Sequence, residues 1–272
     1  MIKLTDTKLI LTGSILEVHS YMSRPLAYGG FAINHNVERK KIIVIDEESE
    51  QRKIESRKRS LRRAGSILRK LVNTNSGRWK SEEGVPYDPI FVTLTFRDDI
   101  RDVFVANKHF TSFIRQLKYL ISGRAKKCNL KYLAVIDFQD ANRNGVVHYH
   151  LVFFNLNNKN LLSKAWKHGS VDIREVKEIE NVGLYMSKQL SQHSKDTRLD
   201  GYKRYFSSKG LLKPIKILDQ DKARSIIKLI PSEYVSNISH FDGFQGSVKN
   251  VQYKLNNNET LFDIIPELNN ML

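Results

Sequence analysis

Cysteine is almost absent. One residue, Cys128, stands among 272, so neither an internal disulfide nor a cysteine-based zinc finger is available, and a reducing compartment suits the chain. No apolar run reaches the roughly 18 residues that a membrane span requires. The opening residues lack a basic stretch followed by an apolar core and a small-residue cleavage site, so a cytoplasmic setting is expected. The pattern Gly-x4-Gly-Lys-Ser/Thr does not occur, which leaves no sign of a P-loop motor, and no internal repeat is visible. Acidic residues are scarce beside basic ones, 29 against 45, giving a net charge of +16 and a pI near 9.8. Such an excess is the footprint of a protein that neutralises phosphates. With hydrophobic residues at 40%, a sizeable core can still form.

The charge is not spread evenly. Residues 51–80 hold eleven Lys or Arg and one acid, Glu55, a net of +10 within thirty residues. Ile54, Leu61, Ala64, Leu68, Leu71 and Val72 recur there at helical spacing, which predicts a helix over 51–73 with one apolar stripe. A charge run is often only a solvated face. Concentration on this scale favours contact with a nucleic-acid backbone, through Arg57, Arg59, Arg62, Arg63, Arg69 and Lys70 on the outer face. Before it, residues 1–46 alternate short β-type runs (Lys8 to Leu11, Ile15 to His19, Lys41 to Ile45) with turn signals such as Tyr28-Gly29-Gly30.

The middle of the chain is more regular. Strands are expected at Pro89 to Phe96, Leu130 to Gln139, the run after Gly145, and Gly169 to Val176. Helices are expected where Phe110, Phe113, Ile114, Leu117 and Leu120 mark one face, from Lys159 to Trp166, and from Asn181 to Gln192. The Asn/Gly-rich segment 140–145 joins two strands as an antiparallel hairpin. This order predicts an α+β fold with an antiparallel sheet of split-βαβ, ferredoxin-like type, helices on one face and the other face free to hold a site. Three regions result: 1–84 with a β element and the basic helix, 85–215 as the central domain, and 216–272 as a C-terminal extension. In the last, a helix near Asp219 to Leu229 and an Asn-rich stretch at Asn256 to Asn258 are the main signals.

Val146-Val147-His148-Tyr149-His150-Leu151-Val152-Phe153 carries the chemistry. Strand side chains alternate faces, so His148 and His150 point the same way while Tyr149, Leu151 and Phe153 face a core. Two such histidines can equally be a buried polar pair, and partners elsewhere must decide. On the preceding strand Asp137 sits between Ile136 and Phe138, where a lone carboxylate would be costly to bury. Two imidazoles and that carboxylate make a site for Mn²⁺ or Mg²⁺, with Gln139 as the alternative or fourth contact. On the helix 181–192, Tyr185, Lys188, Gln189 and Gln192 form a polar stripe at i, i+3, i+4 and i+7, while Val182, Met186 and Leu190 form an apolar one. A phenol can attack phosphorus, and a nearby ammonium can stabilise the anion that develops. A cupin-type site also uses His-x-His, but it expects a Glu soon after the second His, and Leu151 to Asn155 holds none.

Phe91-Val92-Thr93-Leu94-Thr95-Phe96, His148-Tyr149-His150 and Tyr185-Met186-Ser187-Lys188 occur in the order seen in HUH endonucleases. Over roughly residues 85–215 the chain resembles single-tyrosine rolling-circle replication initiators of the plasmid and filamentous-phage gene-II type. The run Lys203 to Leu211 also resembles the segment after the tyrosine motif in that group. The resemblance implies metal ligation by His148, His150 and Asp137, where the family commonly has Glu. It implies attack by Tyr185 on single-stranded or hairpin origin DNA, assisted by Lys188, giving a 5′-phosphotyrosine bond and a free 3′-OH. A host helicase and DNA polymerase are the implied partners, with neither a membrane nor a small-molecule cofactor. A transposase or mobilisation relaxase using the same groups, and a non-catalytic origin-binding protein, are the alternatives.

Overall fold

β-Branched and apolar residues near the start of the chain form β1 (Lys3–Thr5), β2 (Thr7–Thr12), β3 (Ile15–Tyr21) and β4 (Leu26–Tyr28). The computed structural model describes residues 3–29, 47–124, 128–176, 179–192, 197–243 and 246–255. The β-type run expected at Lys41 to Ile45 and the Asn-rich stretch lie outside them. The long basic helix α1 spans Glu47–Asn75. Then come β5 (Ile90–Phe96), α2 (Val103–Ser122), β6 (Tyr132–Gln139), the single turn α3 (Asp140–Arg143) and β7 (Val146–Phe153). After these lie α4 (Asn160–Ala165), β8 (Gly169–Glu175), α5 (Ile179–Gln192) and β9 (Tyr205–Ser207). β10 (Ile215–Ile217), α6 (Gln220–Leu229), β11 (Val235–Gly243) and β12 (Gly246–Lys254) complete the order. Among the described residues no helix is long and apolar enough to cross a membrane.

The chain divides into two compact units, one from residues 45–212 and the other from 1–44 together with 213–272. These boundaries differ from the three expected regions. The basic helix belongs with the central domain, and the two terminal segments share one sheet in the order β10-β2-β3-β12-β11. The reason is physical: β2 and β3 each have two edges that need partners, and strands from 215–254 supply them. Leu9, Leu11, Leu16 and Val18 pack there against Ile217, Ala223, Ile226 and Ile230.

In the central unit the sheet order is β8-β5-β7-β6-β9, with every neighbouring pair antiparallel. β7 therefore lies between β5 and β6, and β5 between β7 and β8. These are two split βαβ units, the ferredoxin-like arrangement the sequence predicts, with β9 added at one edge. Ile90, Val92, Leu94 and Phe96 of β5 point to one face with Ile136, Tyr149, Leu151 and Phe153. There they meet Phe110, Phe113 and Leu117 of α2 and Leu162 of α4. Asp102 caps α2, its carboxylate accepting from the Phe104 and Val105 amides at 2.7 and 3.2 Å.

The α+β class with an antiparallel sheet stands as expected, and the opposite face carries more than a site. Leu133, Val135, Val152 and Phe154 make an apolar patch on it, and Leu68 and Val72 of α1 with Met186 of α5 cover that patch. An apolar patch of this size needs a cover, and α1 and α5 supply one as a second helical layer. The two helices run antiparallel and close. A Cβ added at Gly65 would lie 3.3 Å from Ser187 Cβ, and one at Gly183 would lie 3.2 Å from Arg69 Cγ. Leu68→Ala should therefore lower the stability of this unit by about 2–5 kcal/mol, the range for emptying a packed leucine site. Ile67→Ala, at the neighbouring exposed position, should change it by no more than about 0.5 kcal/mol. Urea unfolding of the two variants checks the contrast.

Candidate metal centre

The pairing of β6 with β7 sets Asp137 directly across from His148 and Val135 across from His150. On the other side of β7, β5 places Thr95 beside His148 and Thr93 beside His150. Alternation along each strand puts all five polar side chains on the face that carries α5. Asp137, His148 and His150 are each more than nine-tenths buried. His148 Nε2 lies 2.8 Å and His150 Nε2 3.3 Å from the same carboxylate oxygen, Asp137 Oδ2. One donor atom from each residue falls within 4.8 Å of the other two.

Two imidazole nitrogens and a carboxylate oxygen converging in a buried place could hold a metal ion. A buried carboxylate also needs positive charge nearby if it is to stay ionised. Thr93 Oγ1 lies 3.1 Å from His150 Nδ1, which fixes the ring and leaves Nε2 turned to the centre. Burial, with the charge of His148 adding to it, holds the His150 pKa below the usual histidine range against the opposing pull of Asp137. At neutral pH its ring is therefore neutral and can ligate. Gln139 stands two residues further along the same strand face. Its Oε1 is buried without a hydrogen-bond partner among the described residues, and the converging set is the Asp-His-His one.

Tyr185 reaches this centre from α5. Met186 is fully buried in the apolar patch, and anchoring the helix by that residue turns Tyr185 toward β7. Its hydroxyl lies 3.5 Å from His150 Nε2. Its ring meets His150 and Phe91 edge-on, with centroids 5.3 and 5.5 Å apart, while Phe91 stacks on His150 at 5.6 Å. Burial raises the pKa of the phenol above its ordinary value, and a hydrogen bond with Gln189, one turn along, opposes this. The polar stripe of α5 is thus split: Gln189 is buried, Lys188 is exposed, and Tyr185 is 40% exposed. The side chains of Leu190 and Gln192 lie outside the described residues. Phe91, Thr93 and Gln189 were not singled out as contacts of the centre. The two-residue alternation of β5 contains the signal for the first two, since Phe91, Thr93 and Thr95 must share a face.

The six cations expected on the outer face of α1 divide. Arg59, Arg62 and Arg63 are exposed. Arg57 instead holds Asp200 at 2.6 Å, and the stem of Arg69 lies against Gly183 in the crossing with α5. Positions 57 and 69 flank the buried row Leu61, Gly65, Leu68, so the outer-face reading is corrected for these two. Lys70 is half-buried.

Residues 89–194 match the model of a family of replication-associated proteins, that of ORF2 and the gene-2 protein. The matched stretch contains the metal centre and Tyr185, and the similarity supports a role in replication initiation. No curated protein and no solved structure gives a match.

A divalent ion that binds the folded protein and not the unfolded chain stabilises it by about 2.7 kcal/mol at a concentration a hundredfold above Kd. Mn²⁺ should therefore raise the thermal midpoint of the wild-type protein. His150→Ala and Asp137→Asn should remain folded, because the main core lies on the other sheet face, and should lose the Mn²⁺-dependent rise. A thermal scan with and without the ion checks this.

Proposed function

We propose that the chain is a replication initiator of the HUH, single-tyrosine kind, which nicks single-stranded origin DNA and leaves a primer end. One observation carries this reading: the Tyr185 hydroxyl stands 3.5 Å from a nitrogen of the buried Asp-His-His centre, within a stretch similar to replication-associated proteins. A phenol beside three metal-binding groups is the equipment for attack on a phosphodiester. The ion, Mn²⁺ or Mg²⁺ bound by Asp137, His148 and His150, would offset the charge that develops on the scissile phosphate.

The protein's own groups do the rest. Phe91 and His150 hold the Tyr185 ring between them, and Gln189 holds its hydroxyl. The tyrosine oxygen attacks phosphorus in line, the bond from phosphorus to the 3′ oxygen breaks, and the phenol proton leaves to solvent while the 3′ oxygen takes one up. The products are a 5′-phosphotyrosine link and a free 3′-OH from which a host polymerase can extend. Reversal by a later 3′-OH rejoins the strand. Lys188, one turn from Tyr185 and exposed, is positioned to meet the DNA rather than the buried ligands. Unwinding falls to a host helicase, since the chain has no P-loop motif.

Tyr185→Phe should bind single-stranded DNA as the wild type does and form no adduct that survives denaturation. Undiminished adduct, or its transfer to Tyr202 or Tyr205, would reject Tyr185 as the nucleophile. Tyr205 is the stricter control, because its strand places it across from Val135 on this same sheet face. A non-catalytic origin-binding protein would form no adduct in any version.

The exposed arginines of α1 support a second test. Each neutralised phosphate adds roughly 0.7–0.9 to the log–log salt slope of binding. Changing Arg59, Arg62 and Arg63 together to Gln should flatten that slope by about two to three units while chemistry on a saturating short strand survives. A slope equal to the wild type's would place the DNA surface elsewhere.

A further inference from the structure

β8 is the edge strand of the central sheet, flanked only by β5. Its pairing sets Arg174 across from Phe91, Asp172 across from Thr93 and Ser170 across from Thr95. The three therefore stand on the face of the metal centre, one row beyond the residues that touch His150. Val171 and Ile173, between them, turn to the other face and pack on the core there. α1 and α5 cover the face over β6 and β7 and reach β5 at Phe91. Ser170, Asp172 and Arg174 are all exposed, so the margin beside the Tyr185 ring is open to solvent.

This margin carries one cation and one acid in contact. Arg174 Nε lies 2.9 Å from Asp172 Oδ2, with 74% and 54% of the two side chains exposed. The bond occupies Nε and holds the guanidinium in place, while both terminal amino groups remain unengaged among the described residues. Those two groups form the planar fork that takes two oxygens of one phosphate. Phe91 links the position to the reaction, since it faces Arg174 across the strand pair and touches the Tyr185 ring.

We infer that Arg174 is a phosphate-binding residue of the site: the DNA strand crosses the open margin of Ser170, Asp172 and Arg174, and the guanidinium grips a phosphate next to the one Tyr185 attacks. The inference rests on the reading of the chain as a single-strand nickase. It gives Asp172 a definite part. With Arg174 present the carboxylate orients the fork; with Arg174 removed it is an unneutralised negative charge in the path of the strand.

The test uses the full chain, a labelled oligothymidylate for binding, and a pool of mixed-sequence single strands with Mn²⁺ for adduct formation. Arg174→Gln should weaken oligothymidylate binding about tenfold at low salt, the scale of one charge-assisted contact, and reduce the salt slope by about 0.7. The strand concentration for half-maximal adduct formation should rise by a similar factor while the maximal rate changes much less. Arg174→Lys should keep most of the slope, and Arg174→Gln combined with Asp172→Asn should bind better than Arg174→Gln alone. Arg115→Gln, an exposed cation on α2 over the other sheet face, should behave as the wild type. Arg174→Gln indistinguishable from Arg115→Gln in affinity and slope overturns the inference, whether or not the wild type forms adducts. Absence of any wild-type adduct, with the slope still lost in Arg174→Gln, overturns the nickase reading and leaves the phosphate contact standing.

Discussion

The register of β7 between β5 and β6 is the constraint on which the central unit depends. It sets Asp137 opposite His148, and Thr93 beside His150. A slip of one residue would send both imidazoles into the apolar side and bring Tyr149 and Leu151 out. The turn between β6 and β7 prevents that slip. Asn144 and Gly145 take left-handed conformations at φ 47° and 83°, and Arg198 clamps the turn from outside through a two-pronged ion pair with Asp140 at 2.8 and 2.9 Å. A Cβ at Gly145 would stand 2.6 Å from Arg198 Nη1, so the glycine is required twice, for its backbone and for its lack of a side chain.

From that register the rest is built in layers. The strand pairing fixes the centre, and the apolar patch beside it fixes α5, because Met186 must be buried. α5 carries Tyr185 to the imidazole. α1 in turn closes on α5 through two glycine contacts and sets its height above the sheet. The basic helix is therefore a structural support of the tyrosine as well as a charged surface. A helix so cationic on one side can do both only because Leu61, Leu68 and Val72 keep the other side dry.

Much of this was legible in the residues. His148 and His150 share a strand face by alternation alone, and the short polar segment 140–145 forces β6 and β7 into a hairpin, so Asp137 had to come near them. The strand and helix order 90–192 was readable for the same reason: its periodicities are long and its turn signals clear. The features that escaped depend on contacts far apart in sequence. Nothing in the run Thr7–Thr12 says that its partner is Ile215–Ile217, and nothing in α1 alone says which sheet face it covers. The pairing of Arg57 with Asp200 spans 143 positions, so no local pattern could remove that arginine from the set of free cations. The roles of Phe91 and Arg174 lay between these cases. Alternation gives their faces, but their closeness to Tyr185 needs the packing of α5.

The terminal sheet has a consequence for the order in which the protein can be made. β2 and β3 leave the ribosome early, yet the strands that flank them, β10 and β12, are among the last described segments to be translated. The intervening residues 45–212 hold every strand and helix of their own unit and can close as soon as Leu212 has emerged. Synthesis therefore runs inside out: the middle of the chain matures first, while the β2–β3 hairpin waits with open edges. Glu17, a carboxylate in the middle of β3, places a charge on that waiting hairpin, and charge on an unpaired strand discourages pairing with other chains during the interval.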